Sequence, residues 1–209
     1  MGLWTVLYSR MNENHASLCP SPEWASHIQE EVLPSLADLA ALGAVMLELG
    51  PGPGAATEWL RHRVGRLVAV ESDGAAVEKL RARFADSNVE VIAGDATNLD
   101  FGAETFDSVG TFTMLHHVAT TRLQQRVLAE SFRVLRPGGV LIGSDSLASN
   151  ELHLFHAEDT YNPMDPAALL VRLQAVGFGP ITLIVDGDLR FVARKPDGAT
   201  THRGSDERQ

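Results

Sequence analysis

From residue 44 onward, short apolar runs alternate with stretches whose apolar positions recur every three or four residues. Residues 44–49 form an apolar run interrupted only by Glu48 and followed by glycines. Residues 67–71, 89–92, 106–113 and 140–144 are further strand-like runs. Between them, residues 55–63, 74–85 (with Val77, Leu80 and Phe84 on one face) and 122–135 carry helical periodicity. Continuous apolar strands each followed by a helix predict a parallel sheet covered on both faces. Pro137-Gly138-Gly139 is expected to end the helix over 122–135. After a helix over 166–176 the pattern changes: residues 181–185 and 189–193 flank Asp186-Gly187-Asp188, a hairpin signal. The sheet is therefore expected to finish antiparallel.

Ahead of this region, Ser21-Pro22-Glu23 opens a helix with apolar positions at Trp24, Ile28, Val32, Leu36 and Leu39, which Pro34 is expected to kink or split. Residues 1–20 lack periodicity. This divides the chain into an arm and helix over 1–43, placed to act as a lid, an α/β domain over 44–195 and a frayed tail over 196–209.

Composition narrows the classes. With 209 residues, 44% hydrophobic and 21% charged, the chain can bury a core without covalent staples. The single cysteine, Cys19, excludes a disulfide framework and a cysteine zinc site. A net charge of −10 argues against a protein that grips nucleic acid through phosphates. No apolar run reaches the roughly 18 residues of a membrane span, and residues 3–8 do not make a signal peptide. A cytoplasmic protein, monomer or homodimer, is expected.

Glu48-Leu49-Gly50-Pro51-Gly52-Pro53-Gly54 joins the first strand to its helix. Glycines here let backbone approach a ligand and leave a helix N-terminus open for hydrogen bonding. Gly50-x-Gly52-x-x-Ala55 also satisfies the dinucleotide fingerprint, with Glu71 at 71 − 50 = 21 residues downstream, so a nicotinamide-dependent dehydrogenase stays open on this evidence, as does a ligand-free turn. Glu48 before the glycines, Gly94-Asp95-Ala96 after the third strand and Leu135-Arg136-Pro137-Gly138-Gly139 before the fifth change the balance.

Taken together, these motifs resemble the class I S-adenosylmethionine-dependent methyltransferases over roughly residues 43–194. The resemblance implies a Rossmann-like, seven-stranded, mostly parallel sheet with an antiparallel last strand, and S-adenosyl-L-methionine as cofactor. It assigns Glu48 and the backbone of Gly50, Pro51, Gly52 and Gly54 to the amino-acid part of the cofactor. Glu71, with Ser72 beside it, takes the ribose hydroxyls. Asp95 and the Ala96 amide take the adenine, and Thr111 and Phe112 line the methionine end. Asp73 reads as a helix cap.

An alcohol is a poor nucleophile and gains from a positioned base, whereas a neutral amine needs none. Met114-Leu115-His116-His117-Val118 follows the fourth strand. His116 is the first choice of base, because the phosphobase methyltransferases have a catalytic histidine at the matching place. His117 or Asp145 would orient it or the acceptor. Ubiquinone-pathway O-methyltransferases carry ExxEH here and bind magnesium; Thr113-x-x-His116-His117 lacks those carboxylates, which disfavours a metal, and none is assigned. The segment after the fifth strand offers His153, His156, Asp159, Tyr161 and Asn162 to an acceptor, and the arm offers Tyr8 and His15. Polar groups outnumber aromatics there, and aromatics are 6% of the chain, which suits a small polyhydroxylated acceptor such as a carbohydrate better than a quaternary amine. The GPGPG, TMLHHV and RPGGV stretches look similar to actinobacterial methyltransferases, some of which methylate sugars of mycobacterial polysaccharides. A small-amine N-methyltransferase and a non-catalytic cofactor-binding regulator are the alternatives.

Overall fold

The computed structural model describes residue 12 and residues 17–198. Seven strands form one sheet: β1 (Val45–Leu49), β2 (Arg66–Glu71), β3 (Val89–Ala93), β4 (Phe106–Phe112), β5 (Leu135–Asp145), β6 (Ile181–Asp186) and β7 (Asp188–Arg194). Their order is β3-β2-β1-β4-β5-β7-β6, and β7 alone runs antiparallel to its neighbours. The turn between β6 and β7 is Gly187, at φ +73°, as the Asp-Gly-Asp pattern predicts.

Both faces of the central strands are buried, which is why these read as largely apolar runs, whereas the edge strands β3 and β6 have no fully buried residue. Met46 and Leu67 join Ile28, Val32, Leu36 and Leu60 on one face. Leu47, Leu49, Val68 and Val70 join Val127, Leu128, Leu169 and Leu173 on the other. The first layer comes from α1 (Pro22–Ser26), α2 (Leu33–Ala37) and α3 (Ala55–Leu60). The second comes from α5 (Thr121–Val134) and α7 (Pro166–Val176), while α4 (Gly74–Arg83) connects β2 to β3.

The amino-terminal helix starts where expected, with Ser21 Oγ accepting from the Trp24 amide. Pro34 has no N–H to continue the ladder. Ahead of it the chain widens into a π-type turn over His27–Val32, closed by the Leu33 amide on the Ile28 carbonyl.

Three local readings need correction. The helix predicted over 55–63 ends at Leu60. Pro137-Gly138-Gly139 lies inside β5 rather than beyond a helix: α5 stops at Val134, Leu135 already pairs with Phe106, and the register slips before Ser108 meets Val140. A short helix, α6 (Asn150–Phe155), capped by Ser149 Oγ on the Leu152 amide, occupies part of the polar segment after β5. It carries no fully buried side chain, so no apolar stripe announced it.

Candidate active site

Strand order reverses between β1 and β4, so the chain leaves their carboxyl ends toward opposite faces and opens a crevice, the usual ligand position in such sheets. A cavity of about 680 Å³ occupies that place, within the range of small-molecule sites. Glu48, the glycine loop, Val70, residues 71–75, Gly94, Ala96, residues 112–114 and His117 border it.

The loop's shape follows from its glycines. Gly50, Gly52 and Gly54 all have positive φ (+65°, +52° and +86°). A side chain at Gly50 would strike Met114 Cγ at 2.3 Å, so the end of β1 and the segment after β4 pack through that missing Cβ. Gly52 meets nothing within 4 Å in the direction of a Cβ and leaves room for a ligand against the backbone.

Two carboxylates frame the loop. Glu71, at the end of β2, accepts through Oε1 from the Ser72 amide (2.7 Å) and the Asp73 amide (3.0 Å), and through Oε2 from the Gly52 amide (3.1 Å). It therefore pins the glycine loop while a carboxylate's remaining acceptor capacity stays available to a ligand. Glu48 is 1% exposed and accepts from Thr57 Oγ1 at 2.7 Å. Burial pushes its carboxyl up to about 7; the Thr57 hydrogen bond opposes this and the Glu71 charge adds to it. A cationic ammonium group is the partner such a carboxyl lacks. Asp73 caps α4 by accepting from the Ala75 amide, as expected. Asp95 accepts from the Thr97 amide at 2.8 Å; Gly94 and Ala96 on either side border the cavity and its own side chain does not. Phe112 lines the wall, whereas Thr111 is buried behind it.

The histidines lie at the far end. Thr113, at φ +51°, turns the chain out of β4, and Leu115–His117 form one 3-10 turn. His116 and Asp145 are both buried, with His116 Nδ1 at 2.6 Å from Asp145 Oδ1. A carboxylate only accepts, so Nδ1 carries the proton and Nε2 is the open nitrogen of the neutral ring. Asp145 is fixed in turn by the Ser146 amide on Oδ1 at 2.8 Å. His117, with its ring centroid 4.0 Å from that of His116, is the histidine that borders the cavity.

The segment after β5 folds over this end. Asp159 and Thr160 border the cavity. His156 and Tyr161 stack at 4.2 Å and stand edge-on to His116, while His153 is exposed. Asn162 is occupied with the loop itself: its amide donates to the His116 carbonyl and its Nδ2 to the Val118 carbonyl. Asn12 Nδ2 donates to the Phe155 carbonyl at 2.7 Å, which ties Asn12 to the same segment. Tyr8 and His15 lie outside the described residues. Cys19, Trp24 and Ile28 also border the cavity, which sequence reading did not anticipate. The apolar stripe of the first helix gave the face of Trp24 and Ile28 but not its neighbour, and Cys19 lies ahead of that stripe. Thr57, the partner of Glu48, was likewise hidden inside a helix.

These features define a class. Residues 47–143 match the family described as "Methyltransferase domain". The sheet is that of the class I methyltransferases, and S-adenosylmethionine is the cofactor of this domain. The chain thus has the class I methyltransferase fold, and residues 47–143, just under half of it, are similar to the methyltransferase domain family. Among relatives, it is 30% identical over 142 residues to a probable S-adenosylmethionine-dependent methyltransferase of Mycolicibacterium smegmatis, covering 65% of this chain and 52% of that protein. It is 49% identical over 57 residues to a probable ribosomal RNA small subunit methyltransferase A of Thermococcus onnurineus, covering 27% and 21%. The chain thus spans between about a fifth and a half of these relatives' lengths. Two solved structures share the fold. The PH0226 protein of Pyrococcus horikoshii has a TM-score of 0.71 at 21% identity over 84% of this chain and 92% of that one. A phosphoethanolamine N-methyltransferase of Haemonchus contortus, solved with S-adenosylhomocysteine, has 0.68 at 15% identity over 87% and 57%.

Proposed function

We propose that the protein transfers a methyl group from S-adenosylmethionine to a hydroxyl of a small polar acceptor, a carbohydrate in the first instance, with His116 as general base. The observation that carries this reading is the buried His116–Asp145 pair packed against His117, which borders a cavity of cofactor size. The cavity fits the cofactor: Glu48 suits its ammonium group, Glu71 its ribose, the open space at Gly52 its approach to backbone, and Gly94 to Ala96 its adenine. The bound cofactor supplies an electrophilic sulfonium methyl group.

The chain's own residues do the rest. Asp145 holds the His116 ring in the tautomer whose Nε2 can accept the hydroxyl proton, and it stabilises the imidazolium that results. His117, at the cavity edge, meets the acceptor. Asp159 and Thr160 meet it at the cavity border, and the 155–162 segment, with Asn12 bonded to it, excludes water.

A ribosomal RNA acceptor is the competing reading, favoured by relatives of that name over short stretches. The charge of −10 and the four acids at the cavity (Glu48, Glu71, Asp73 and Asp159) favour a small neutral acceptor instead.

His116→Ala is expected to lower kcat about 10²-fold or more with S-adenosylhomocysteine affinity retained. His117→Ala is expected to raise KM for the acceptor more than it lowers kcat. The reverse pattern would make His117 the base. Near-normal kcat in both variants would remove base catalysis from the mechanism.

A further inference from the structure

His116 and His117 from the turn after β4 meet His156 from the end of α6, forty residues later (156 − 116 = 40). One ring nitrogen of each lies within 4.8 Å of the others. The ring centroids are 4.0 Å apart for His116 and His117, 5.1 Å for His116 and His156, and 5.5 Å for His117 and His156. No carboxylate belongs to this set.

The surroundings of two of the rings decide what they present. His116 Nδ1 is taken by Asp145 Oδ1, and His156 Nδ1 lies 2.6 Å from the Leu152 carbonyl. Both partners are acceptors only, so both Nδ1 atoms carry the proton and both Nε2 atoms are left as lone-pair donors. A carboxylate or a backbone carbonyl on the second nitrogen is the arrangement that fixes metal-ligating histidines in tautomer and orientation. Three imidazoles with one coordination position to spare is the ligand set of an open zinc site.

We propose that His116, His117 and His156 bind one divalent ion of the borderline transition-metal class, Zn²⁺ or Co²⁺, in preference to Mg²⁺ or Ca²⁺, which require oxygen ligands. A tetrahedral ion with Zn–N of about 2.0–2.1 Å needs its ligand atoms about 3.3 Å apart. His117 is the half-buried ring of the three, and closing to that spacing takes rotation of the rings about their side-chain torsions. The proposal adds a ligand set that no local motif contains, because the third histidine comes from a different element. It stands on the three rings alone and not on the methyl-transfer reading. The two meet at one atom: a His116 Nε2 bound to metal cannot accept a proton, so the loaded ion silences the base.

Zinc is the probe, added to the full-length protein stripped with chelator. Equilibrium dialysis is expected to retain one Zn²⁺ per chain, unaffected by excess Mg²⁺. Retention should be lost in His117→Ala and in His156→Ala, with S-adenosylhomocysteine binding as the check that each variant is folded. Co²⁺ in place of zinc should give the visible absorption of a tetrahedral site, and Asp145→Asn should weaken zinc affinity about 10–100-fold. No retained zinc in the wild type, or equal retention in the folded His117→Ala variant, overturns the site. Zinc binding, with no turnover on any acceptor even in the metal-free protein, upholds the site and removes the base reading. Turnover that needs His116 in a protein that retains no zinc does the opposite.

Discussion

Glu48 is the residue whose chemistry departs furthest from its ordinary behaviour. With its carboxyl at about 7 instead of 4.5, the ligand-free protein binds a proton that the unfolded chain releases earlier. That contribution to stability is complete below about pH 4.5 and lost as pH rises through about 7, on the order of 3 kcal/mol across the interval. Glu58, Asp107 and Glu130, whose carboxyls are held low by Arg61, by the Val45 and Ala44 amides with Arg136, and by Arg133, act in the opposite sense at lower pH. The Glu48 part is therefore read as a difference. Denaturant titrations of wild type and Glu48→Gln should converge near pH 4 and separate by about pH 8, with the variant the more stable. Equal pH profiles would remove the buried proton. Ligand binding should show the converse. Affinity for S-adenosylhomocysteine, whose ammonium favours the ionised carboxylate, should rise with pH through about 7 in wild type and not in Glu48→Gln.

At the scale of elements, the glycine loop and the segment after β4 hold each other in place. Gly50→Ala adds a left-handed backbone penalty and a collision with Met114 Cγ, and should cost about 2–4 kcal/mol in chemical denaturation. Part of that loss should return when Met114 is also shortened to Ala. Gly52→Ala carries the backbone penalty alone, about 1–2 kcal/mol, but projects into the cavity and should weaken S-adenosylhomocysteine binding more than Gly50→Ala does. Equal binding losses would move the cofactor away from Gly52. Most elements were legible because both faces of the central strands are buried, so these strands announced themselves as apolar runs, and Asp186-Gly187-Asp188 marked the one reversal. The misreadings have a common cause. Pro137-Gly138-Gly139 looks like a helix stop, yet Leu135 is buried at 0% exposure and pairs with Phe106, so tertiary burial carries the strand back through the turn residues. The helix Asn150–Phe155 buries no stripe and left no periodicity to find.

For the whole molecule, the glycine-loop end of the cavity could be read from the chain because its parts sit where strands end, at spacings fixed by the βαβ repeat. The acceptor end could not. Whether His116 meets Asp145, and His156 meets them both, depends on how the loop after β5 folds back, and no local pattern encodes that path. Nor did the sequence show that the amino-terminal helix brings Trp24 and Ile28 to the cavity wall. The account of the whole protein rests on hydroxyl methylation, and one measurement addresses it directly. Full-length protein is incubated with methyl-labelled S-adenosylmethionine and paired acceptors, each a small polyol and its amino-substituted counterpart, and the labelled product is identified by mass spectrometry and NMR. The account expects the label in a methyl ether of the polyol, formed by wild type and suppressed about 10²-fold in His116→Ala. Label carried by the amine in preference to the hydroxyl, at a rate indifferent to His116, would contradict it.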